Sequence, residues 1–579
     1  MKNSPVRYAI RPLSPAAHRF EVSCEVATPA PEGQRFSLPA WIPGSYLIRD
    51  FARHIVAIRA EAGGKPVHLC KLDKQTWQAE ALPAGRALTV TCEIHAWDLS
   101  VRGAHLDQTH GFFNGTSVFL RVLGQETQPC LVDIRPPDDP AFRHWRVATT
   151  LETKDAPPQG FGLYQAENYD ELIDHPVEMG EFTLVSFTAC GVLHEIALTG
   201  QHDCDTERLC ADLQRVCEWQ INFFGQPAPM SRYLFLVTAV GEGYGGLEHR
   251  ASTALLCSRH DLPWPGMKDI SEGYRNFLGL CSHEYFHTWH VKRIKPAAFI
   301  PYDLERENYT RLLWVFEGIT SYYDDLALLR SGVITLADWL QLVAKTISNV
   351  QRGPGRQRQS IAESSFDAWS KFYRPDENTP NAVVSYYAKG ALTALALDLI
   401  LRQKTADRVS LDTLMRALWQ RYGQTGRGLG EEDFRQLAEE LSGLKLARFF
   451  ADYVDGTREL PLKSLLAASG FRLHWEAAKT PALGVKSEAQ GSEVRLATVY
   501  DGGAAQTAGL ASGDVLVAID GLRVSATSLE KQLARHSPGD LLKVHAFRRD
   551  ELMCFSLRLD PPASDTARLS GSGKGWPGS

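Results

Sequence analysis

The chain has 579 residues, of which 44% are hydrophobic and 22% charged, and its formal net charge is −6. At about 150 residues per domain, this length predicts several domains. The composition is typical of a folded globular protein and excludes a disordered or fibrous chain. The balance of 62 basic against 68 acidic residues excludes a polycation that binds nucleic acid. No apolar stretch has the length of a membrane span or an export signal, so we expect a cytoplasmic protein that does not bind membranes.

The first 190 residues have the pattern of short β-strands. Runs rich in Val, Ile, Leu, Thr and aromatic residues occur at 19–26, 56–62, 87–95, 117–122 and 182–190. Turn-forming clusters separate these runs. The spacing predicts an antiparallel β-sandwich-like domain over residues 1–190. The aromatic-rich segment Trp41–Phe51 is less regular, and it is either a functional loop or a packing corner.

The periodicity becomes helical after residue 206. Apolar residues recur at three- and four-residue steps over 206–224, behind a Thr or Asp cap. Further helices are predicted over 270–294, 307–330, 336–350, 386–403, 409–422, 431–442 and 445–453. The polar stretch 351–380 predicts a long loop. We expect a mostly helical domain over residues 191–460.

Residues 470–562 resemble a PDZ domain, because they contain the sequence AGLASGDVLVAIDG within a β-rich module. In such a domain, backbone N–H groups of Leu483, Gly484 and Val485 hold the carboxylate of a peptide that adds as a strand to the sheet edge. The alternative is a docked domain that only stabilises the neighbouring domain or narrows the entrance to it, and the sequence leaves both open. Residues 563–579 are rich in Gly, Ser and Pro and predict a disordered tail.

Residues 283–287 contain the pattern His-Glu-x-x-His within a predicted helix. His283 and His287 then lie one turn apart on the same helix face, where two imidazoles can bind one Zn²⁺ ion. Glu284 projects beside the open coordination position, where a carboxylate takes a proton from water during attack on a carbonyl. The alternative is a pair of structural histidines. Residues 290–293 follow the motif and either line the site or have a structural role.

A zinc site of this kind needs a third protein ligand and keeps one position for water. Glu317 is the strongest candidate, because a carboxylate within the apolar helix LLWVFEGITSYY is unfavourable unless it is paired or bound to metal. Asp303, Glu305 and Glu307 lie nearer in sequence, but in a polar stretch. We therefore predict one zinc ion held by the two histidines and Glu317.

Three segments resemble the glycyl aminopeptidase family, which is metallopeptidase family sixty-one of the gluzincin type: HEYFHTWHVKRIKP, LLWVFEGITSYY and SYYAKG. The N-terminal segment WIPGSYLIRDF and the PDZ-like module extend the resemblance over nearly the whole chain. It implies a multidomain α+β protein with a β-rich N-terminal domain, a thermolysin-like catalytic domain that is mostly helical, and a C-terminal PDZ domain.

The resemblance implies roles for individual residues. The three predicted ligands match the zinc ligands of the family, and Glu284 matches its general base. Tyr387 resembles the tyrosine that donates a hydrogen bond to the tetrahedral oxyanion, although the adjacent Tyr386 competes for this role. The gap between the second histidine and Glu317 is longer than in thermolysin-type sites, and an inserted loop at 295–306 explains it.

The segment Gly245–His249 resembles the stretch in related aminopeptidases whose glutamate holds the free α-ammonium of the substrate. On that match Glu248 anchors the amine, and Gly245 and Gly246 bind substrate. A carboxylate at a fixed distance from zinc pairs with the cationic terminus and so measures off one residue. The alternative is a glutamate in a solvated turn.

These features predict a zinc-dependent aminopeptidase that hydrolyses the N-terminal peptide bond by Glu-assisted attack of zinc-bound water. A preference for small residues, Gly and Ala, is implied by the resemblance alone. The expected partners are peptides with a free N-terminus and a peptide C-terminus at the PDZ domain. Two alternatives are a zinc endopeptidase with the same site and a PDZ adaptor whose protease fold is inactive. The intact His-Glu-x-x-His motif and Glu317 argue against the adaptor.

Overall fold

The chain forms two compact units in a computed structural model that describes residues 4–571. The first unit extends to Asn308 and adds Ser331–Val333 and Arg416–Leu429. The second contains Tyr309–Arg330, Ile334–Met415 and the residues from Gly430 onward. The predicted helical segment 191–460 is therefore divided between the two units.

The strands of the first unit come early in the chain. They are β1 (Val6–Ser14), β2 (Arg19–Val26), β3 (Arg35–Ser37), β4 (Ile55–Ala62), β5 (Lys65–Val67), β6 (Leu69–Lys71), β7 (Thr76–Ala79), β8 (Leu88–His95), β9 (Ala104–Leu106), β10 (His110–Phe113), β11 (Arg121–Val122), β12 (Cys130–Ile134), β13 (Arg146–Thr149), β14 (Glu152–Thr153), β15 (Gly162–Ala166), β16 (Val177–Gly180), β17 (Phe182–Ala189), β18 (Val192–Thr199), β19 (Arg232–Val240), β20 (Tyr244–Glu248) and β21 (Ser252–Ser258). Buried and half-buried residues alternate along β2, as expected for a strand with one face on the core.

The first sixteen strands form three sheets. Their orders are β14-β15-β12-β1-β2-β8-β4-β5, β13-β16-β10-β9 and β11-β3-β7-β6. The predicted sheet-rich N-terminal region is confirmed, but its pairing is not wholly antiparallel: β1 and β12 run parallel, with Val6 opposite Cys130. Parallel neighbours need a long crossover connection, and the many residues between these two strands provide it.

A five-stranded sheet follows in the order β17-β18-β19-β21-β20, which places β20 at an edge. Strand β17 pairs with β18 along its whole length, from Phe182 opposite Thr199 to Ala189 opposite Val192. The predicted boundary at residue 190 separates two strands of one hairpin, so it is corrected to about residue 181.

The helices are α1 (Gly115–Val118), α2 (Tyr169–Leu172), α3 (Thr206–Phe224), α4 (Glu272–Phe286), α5 (Ile319–Arg330), α6 (Leu336–Arg352), α7 (Ile361–Phe366), α8 (Thr379–Ala382), α9 (Ala388–Thr405), α10 (Leu411–Leu418), α11 (Asp433–Ser442), α12 (Ala447–Tyr453), α13 (Leu462–Ala468), α14 (Ala504–Ala508) and α15 (Leu529–Leu533). Short 3₁₀ turns occupy Pro15–Ala17, Phe51–His54, Pro140–Phe142, Arg259–Asp261, Ala297–Phe299 and Pro354–Gln357. Single π-helical turns occupy Trp314–Gly318, Ala368–Phe372 and Trp419–Gly423.

The polar stretch 351–380, predicted to be a long loop, contains α7 and one of the π-helical turns. Helix α7 begins with a capping box, in which Ser360 and Glu363 bond each other's backbone N–H groups. This local signal starts a helix even where apolar periodicity is weak. None of the helices within residues 4–571 combines the length and the hydropathy needed to cross a bilayer. The cytoplasmic location stays a prediction.

The C-terminal strands are β22 (Phe471–Glu476), β23 (Val485–Gln490), β24 (Glu493–Val499), β25 (Val515–Ile519), β26 (Leu522–Arg523), β27 (Leu541–Arg548), β28 (Glu551–Arg558) and β29 (Thr566–Gly571). One sheet has the order β23-β24-β25-β27-β28, with β26 paired to β25. Leu496, Leu516, Val544 and Leu557 from this sheet form its core together with α14 and α15 residues. This module is the predicted PDZ domain.

The predicted tail 563–579 is wrong for residues 566–571, which form β29. This strand pairs with β22, from Phe471 opposite Gly571 to Glu476 opposite Thr566. Ala567 is buried, and its backbone N–H donates to Ser348 Oγ on α6 at 2.8 Å. Because β22 and β29 form a sheet separate from the PDZ sheet, the predicted start of the PDZ domain at residue 470 is also too early. The rest of the predicted tail, 572–579, lies outside the described residues.

Candidate active site

Helix α4 carries the His-Glu-x-x-His motif in the first unit. It begins at the cap residue Ser271, whose hydroxyl accepts a hydrogen bond from the Tyr274 N–H. Two buried hydrogen bonds hold the turns of the helix that carry the motif. The Tyr285 hydroxyl lies 2.9 Å from His194 Nε2, and the Gln220 side chain of α3 donates to the Ser282 carbonyl at 2.9 Å. The helix is thereby fixed to the sheet and to α3, which makes it a rigid support for a metal site.

The two histidines of the motif lie as the sequence predicts. The ring centroids of His283 and His287 are 4.7 Å apart, and the two ring planes are nearly perpendicular. His287 Nδ1 lies 2.7 Å from the carbonyl oxygen of His290. A ring N–H that donates to a backbone carbonyl leaves Nε2 unprotonated, which is the tautomer that binds a metal ion. His287, the C-cap residue of α4, therefore fits a zinc ion, and His290 contributes through its backbone carbonyl.

Glu284 lies against the edge strand β20. A Cβ atom built on Gly246 would lie 2.2 Å from Glu284 Oε1, so only glycine leaves room for this carboxylate. Arg102 donates to the Gly246 carbonyl at 3.0 Å and also to the Ser100 carbonyl at 3.0 Å. The sequence indicated Glu284 and Gly246, whereas nothing in it distinguished Arg102.

Glu248 ends β20, and its side chain is 4% exposed. A Cβ atom on Gly44 would lie 2.6 Å from Glu248 Oε2, and Gly44 has a φ of +101° that side chains rarely adopt. Gly44 in the segment Trp41–Phe51 therefore packs against the Glu248 carboxylate, so this segment borders the candidate site. Glu248 is not in a solvated turn, which contradicts the alternative interpretation of this residue.

Three side chains of the first unit converge. One ligand atom from each of Glu248, Glu284 and His287 lies within 4.8 Å of the others, and all three residues are buried. Carboxylates almost never enter the interior without a cation or metal to neutralise them. A buried group of two carboxylates and one imidazole is therefore typical of a catalytic or metal-binding site.

A buried cluster of charged residues holds the segment that follows Glu248 and the segment that follows His287. Asp174, from the loop after α2, lies 2.7 Å from Lys292 Nζ, 3.2 Å from His249 Nδ1 and 3.1 Å from the Arg250 N–H. Burial raises the pKa of Asp174, but Lys292, Arg250 and His249 lower it by more, so the net pKa is well below its usual value. Asp174 thus ties the end of β20 to the segment after α4.

The same cluster explains residues 290–293, whose role the sequence left open. Lys292 is 3% exposed and belongs to the ion cluster. Arg293 donates to three backbone carbonyls, those of Arg250, Thr288 and Pro229. Both side chains are structural. Asp174 was missed because it lies far from the motif in sequence and no local pattern marks it.

We expect Asp174→Asn to lower the free energy of unfolding by about 3–5 kcal/mol at pH 7, because it leaves Lys292 buried without its counterion. The folded pKa of Asp174 lies below its unfolded value, so this stabilisation is present above about pH 4 and is lost as pH falls through the folded pKa. Urea unfolding at pH 7 and pH 3 measures both effects.

The matched control is Asp170→Asn. Asp170 pairs with the same Arg250, but its side chain is 55% exposed. We expect this change to cost less than about 1 kcal/mol. Equal losses for the two variants would show that the buried cluster does not stabilise the fold.

Glu317 lies in the second unit, within the π-helical turn Trp314–Gly318, and is 2% exposed. Single π-helical turns occur often at functional sites. Gly318 packs against α9: its Cβ would lie 2.7 Å from the Cα of Gly390. Two glycines therefore allow close contact between the turn that carries Glu317 and the start of α9.

The adjacent tyrosines before α9 differ in exposure. Tyr386 is fully buried, and burial together with Tyr373 and Glu317 raises its pKa well above the usual value. Tyr387 is half-buried, occupies the N-cap position of α9, and its hydroxyl lies 3.1 Å from that of Tyr373. Of the two, Tyr387 is the more accessible to a ligand.

The predicted carboxylate loop of the PDZ domain precedes its edge strand β23. Gly484 has a φ of +74°, and its Cβ would lie 2.8 Å from the Cα of Gly503. The Leu483 carbonyl accepts from Ala505 N–H at 2.8 Å, which fixes the loop against α14. Peptide binding by Leu483, Gly484 and Val485 stays a prediction.

The PDZ domain also contacts the helical part of the second unit. Asn381 donates to the Val499 carbonyl at 2.9 Å and accepts from the Asp501 N–H at 3.0 Å. Arg358 pairs with Asp501 at 2.7 Å. The domain is therefore docked, and docking does not exclude peptide binding at its edge strand.

Three family models match the chain. Residues 7–181 match the Peptidase M61 N-terminal domain, residues 276–393 the M61 glycyl aminopeptidase, and residues 481–559 a PDZ domain. No curated protein matches the chain.

Among the solved structures that are similar to this chain, two differ widely in sequence identity. An aminopeptidase N family protein from Idiomarina loihiensis has 42% sequence identity and a TM-score of 0.95, over 98% of each chain. A mutant M1 zinc metallopeptidase from Deinococcus radiodurans has 14% identity and a TM-score of 0.50, over 79% of this chain and 95% of that one. The second likeness concerns the fold alone. Together with the family models, the first shows that this chain belongs to the M61 glycyl aminopeptidase family of zinc metallopeptidases and carries a C-terminal PDZ domain.

Proposed function

We propose that the chain removes small N-terminal residues, Gly and Ala above all, from peptides with a free N-terminus. The observation that carries the requirement for a free N-terminus is the buried group formed by Glu248, Glu284 and His287, whereas the preference for Gly and Ala rests on the family resemblance alone. In this proposal Glu248 binds the ammonium group, and its carboxylate oxygen lies within 4.8 Å of the proposed general base and of one proposed zinc ligand. An endopeptidase does not need a carboxylate that binds the terminal ammonium group of its substrate.

We propose His283, His287 and Glu317 as the ligands of one zinc ion. Two imidazoles and one carboxylate are a common set for catalytic zinc, because they leave a coordination position open. The tautomer of His287 and the burial of Glu317 both support this assignment. Zinc in such a site supplies a Lewis acid that polarises the scissile carbonyl and lowers the pKa of water.

Glu284 acts as the general base in this proposal. Its carboxylate takes a proton from the attacking water and passes that proton to the amine that leaves. Gly246 leaves the space for this carboxylate, and Arg102 fixes the strand that borders it. The backbone of Gly245 and Gly246 lies in the edge strand, where a substrate peptide can pair with it.

Glu248 holds the α-ammonium of the substrate, and Tyr387 donates a hydrogen bond to the oxyanion. A charge-assisted hydrogen bond to a buried carboxylate is stronger than a neutral one and fixes the position of the terminus. The half-buried hydroxyl of Tyr387 fits a donor that must reach substrate better than the buried hydroxyl of Tyr386 does.

We further propose that the PDZ loop Leu483–Val485 binds a peptide C-terminus. The loop adjoins β23, whose residues are largely exposed and which stands at the edge of its sheet. Such an edge accepts an added strand, and the loop N–H groups then face the terminal carboxylate.

Cleavage of glycyl-p-nitroanilide and of its N-acetylated form tests the proposed function with zinc-loaded, full-length protein. We expect the free amine to be cleaved and the acetylated compound to resist, because acetylation removes the charge that Glu248 binds. Comparable cleavage of both compounds would overturn the aminopeptidase proposal and favour an endopeptidase. Comparing glycyl, alanyl and leucyl substrates in the same assay measures the side-chain preference.

A further inference from the structure

The hairpin formed by β9 and β10 carries a second group of potential metal ligands. One ligand atom from each of His105, Asp107 and His110 lies within 4.8 Å of the others. The hairpin belongs to the N-terminal sheets, and none of these residues belongs to the peptidase site described above. Two imidazoles and one carboxylate make a donor set that suits Zn²⁺ and related transition-metal ions better than Mg²⁺ or Ca²⁺.

His110 already has the hydrogen bond that a metal-binding histidine needs. Its Nδ1 lies 2.9 Å from Glu178 Oε1, on the neighbouring strand β16, and the Glu178 side chain is 2% exposed. A carboxylate at one ring nitrogen fixes the orientation of the imidazole and makes the other nitrogen a better metal ligand. Glu178 therefore prepares Nε2 of His110 to bind an ion.

His105 and Asp107 have the spacing of two ligands of one ion. His105 Nε2 and Asp107 Oδ2 form a hydrogen bond of 3.3 Å, a separation that two ligands of one ion also have. Two atoms that each lie about 2.1 Å from a tetrahedral zinc ion are about 3.4 Å apart. The other carboxylate oxygen of Asp107 accepts from the Thr109 N–H and the His110 N–H, which holds the side chain in place.

His105 is held in a buried position beside two aromatic rings. The residue is 5% exposed, and its Nδ1 is buried without a hydrogen-bond partner among the described residues. Its ring is tilted against those of Trp97 and His110, with ring centroids 4.9 Å away and interplanar angles of 31° and 33°. Since Nε2 is the nitrogen that faces Asp107, an ion bound there leaves Nδ1 as the protonated ring nitrogen, and Nδ1 is not a ligand of the site.

The group lines a cavity of about 1050 Å³ within the first unit. The cavity lies between the β9–β10 hairpin and strands β18 and β19, which contribute Thr199 and Thr238. It has ample room for an ion with its water molecules. Coordination positions on the cavity side would therefore stay open to solvent or to a small ligand.

We propose that His105, Asp107 and His110 bind a second zinc ion, separate from the peptidase site. The three side chains ligate the ion, and Glu178 orients the His110 ring through the contact with its Nδ1. The open side of the ion faces the cavity.

Zinc content and zinc affinity of the full-length protein test this proposal. After equilibration with buffered Zn²⁺ and gel filtration, we expect two zinc ions per chain by mass spectrometry and one in His110→Gln. The His283→Gln/His287→Gln double variant is expected to keep one ion, which separates the new site from the peptidase site. The matched control is His144→Gln, because His144 lines the same cavity outside the ligand group. This control should bind as much zinc as the unchanged protein.

Two further variants keep the test decisive if His110→Gln does not fold. Glu178→Gln should weaken binding of the second ion about 10- to 100-fold in competition with a chelator of known affinity. Asp107→Asn keeps an oxygen for the Thr109 and His110 N–H groups, so the turn survives while the ligand charge is lost. Both should retain cleavage of glycyl-p-nitroanilide. One zinc ion in the unchanged protein, or unchanged affinity in both variants, would overturn the proposal.

Discussion

Glu284→Gln is expected to lower kcat for peptide hydrolysis by about 10²- to 10⁴-fold, the usual contribution of a positioned general base. Glutamine has nearly the same shape and fits beside Gly246, but it cannot take a proton from water. The zinc ion should stay bound, because Glu284 is not one of the proposed ligands. Steady-state cleavage of glycyl-p-nitroanilide, with zinc content measured on the same sample, provides the test.

The control for Glu284→Gln is Glu272→Gln, at the exposed start of the same helix. This change removes one carboxylate from α4 without touching the site, so the activity should stay within about twofold. A Glu284→Gln protein that binds zinc and cleaves at the unchanged rate would remove Glu284 from the mechanism.

Glu248→Gln is expected to lower kcat/KM for substrates with a free amine by about two to three orders of magnitude. Removing one partner of a buried, hydrogen-bonded charge pair costs about 2–5 kcal/mol. A fall of two to three orders of magnitude in kcat/KM corresponds to about 3–4 kcal/mol, which lies within this range. Any slow cleavage of N-acetylated substrate should be unchanged, because that substrate has no ammonium group. The ratio of the two rates separates loss of amine binding from general damage to the site.

Glu242→Gln is the matched control for Glu248, because Glu242 is an exposed residue just before β20. We expect it to leave both rates unchanged. An equal fall in both rates for Glu248→Gln would contradict the role of amine anchor and would indicate a structural contribution instead.

The sequence predicted the residues whose signals are local. His283 and His287 are one helical turn apart, so a five-residue pattern places them on one face of α4. Glu317 was indicated by its charge within an apolar helix, and its burial agrees with that reasoning. The PDZ domain was predicted because its turns and short strands leave a dense local pattern.

The residues that escaped prediction depend on contacts between distant parts of the chain. Asp174 meets Lys292 only because the fold brings a loop of the N-terminal region beside the segment after α4. Gly44 matters because its missing Cβ leaves room for Glu248, and no pattern near Gly44 shows that. Strand β29 was missed because it lies within a tail rich in Gly, Ser and Pro, and because its partner β22 lies far upstream.

Anomalous diffraction at the zinc absorption edge, from crystals of the zinc-loaded full-length protein, tests the central claim most directly. We expect an anomalous peak within about 2.0–2.2 Å of an imidazole nitrogen of His283, one of His287 and a carboxylate oxygen of Glu317. A zinc-loaded protein with no peak at these residues, or with a peak there that Glu317 does not reach, would contradict the proposed zinc site.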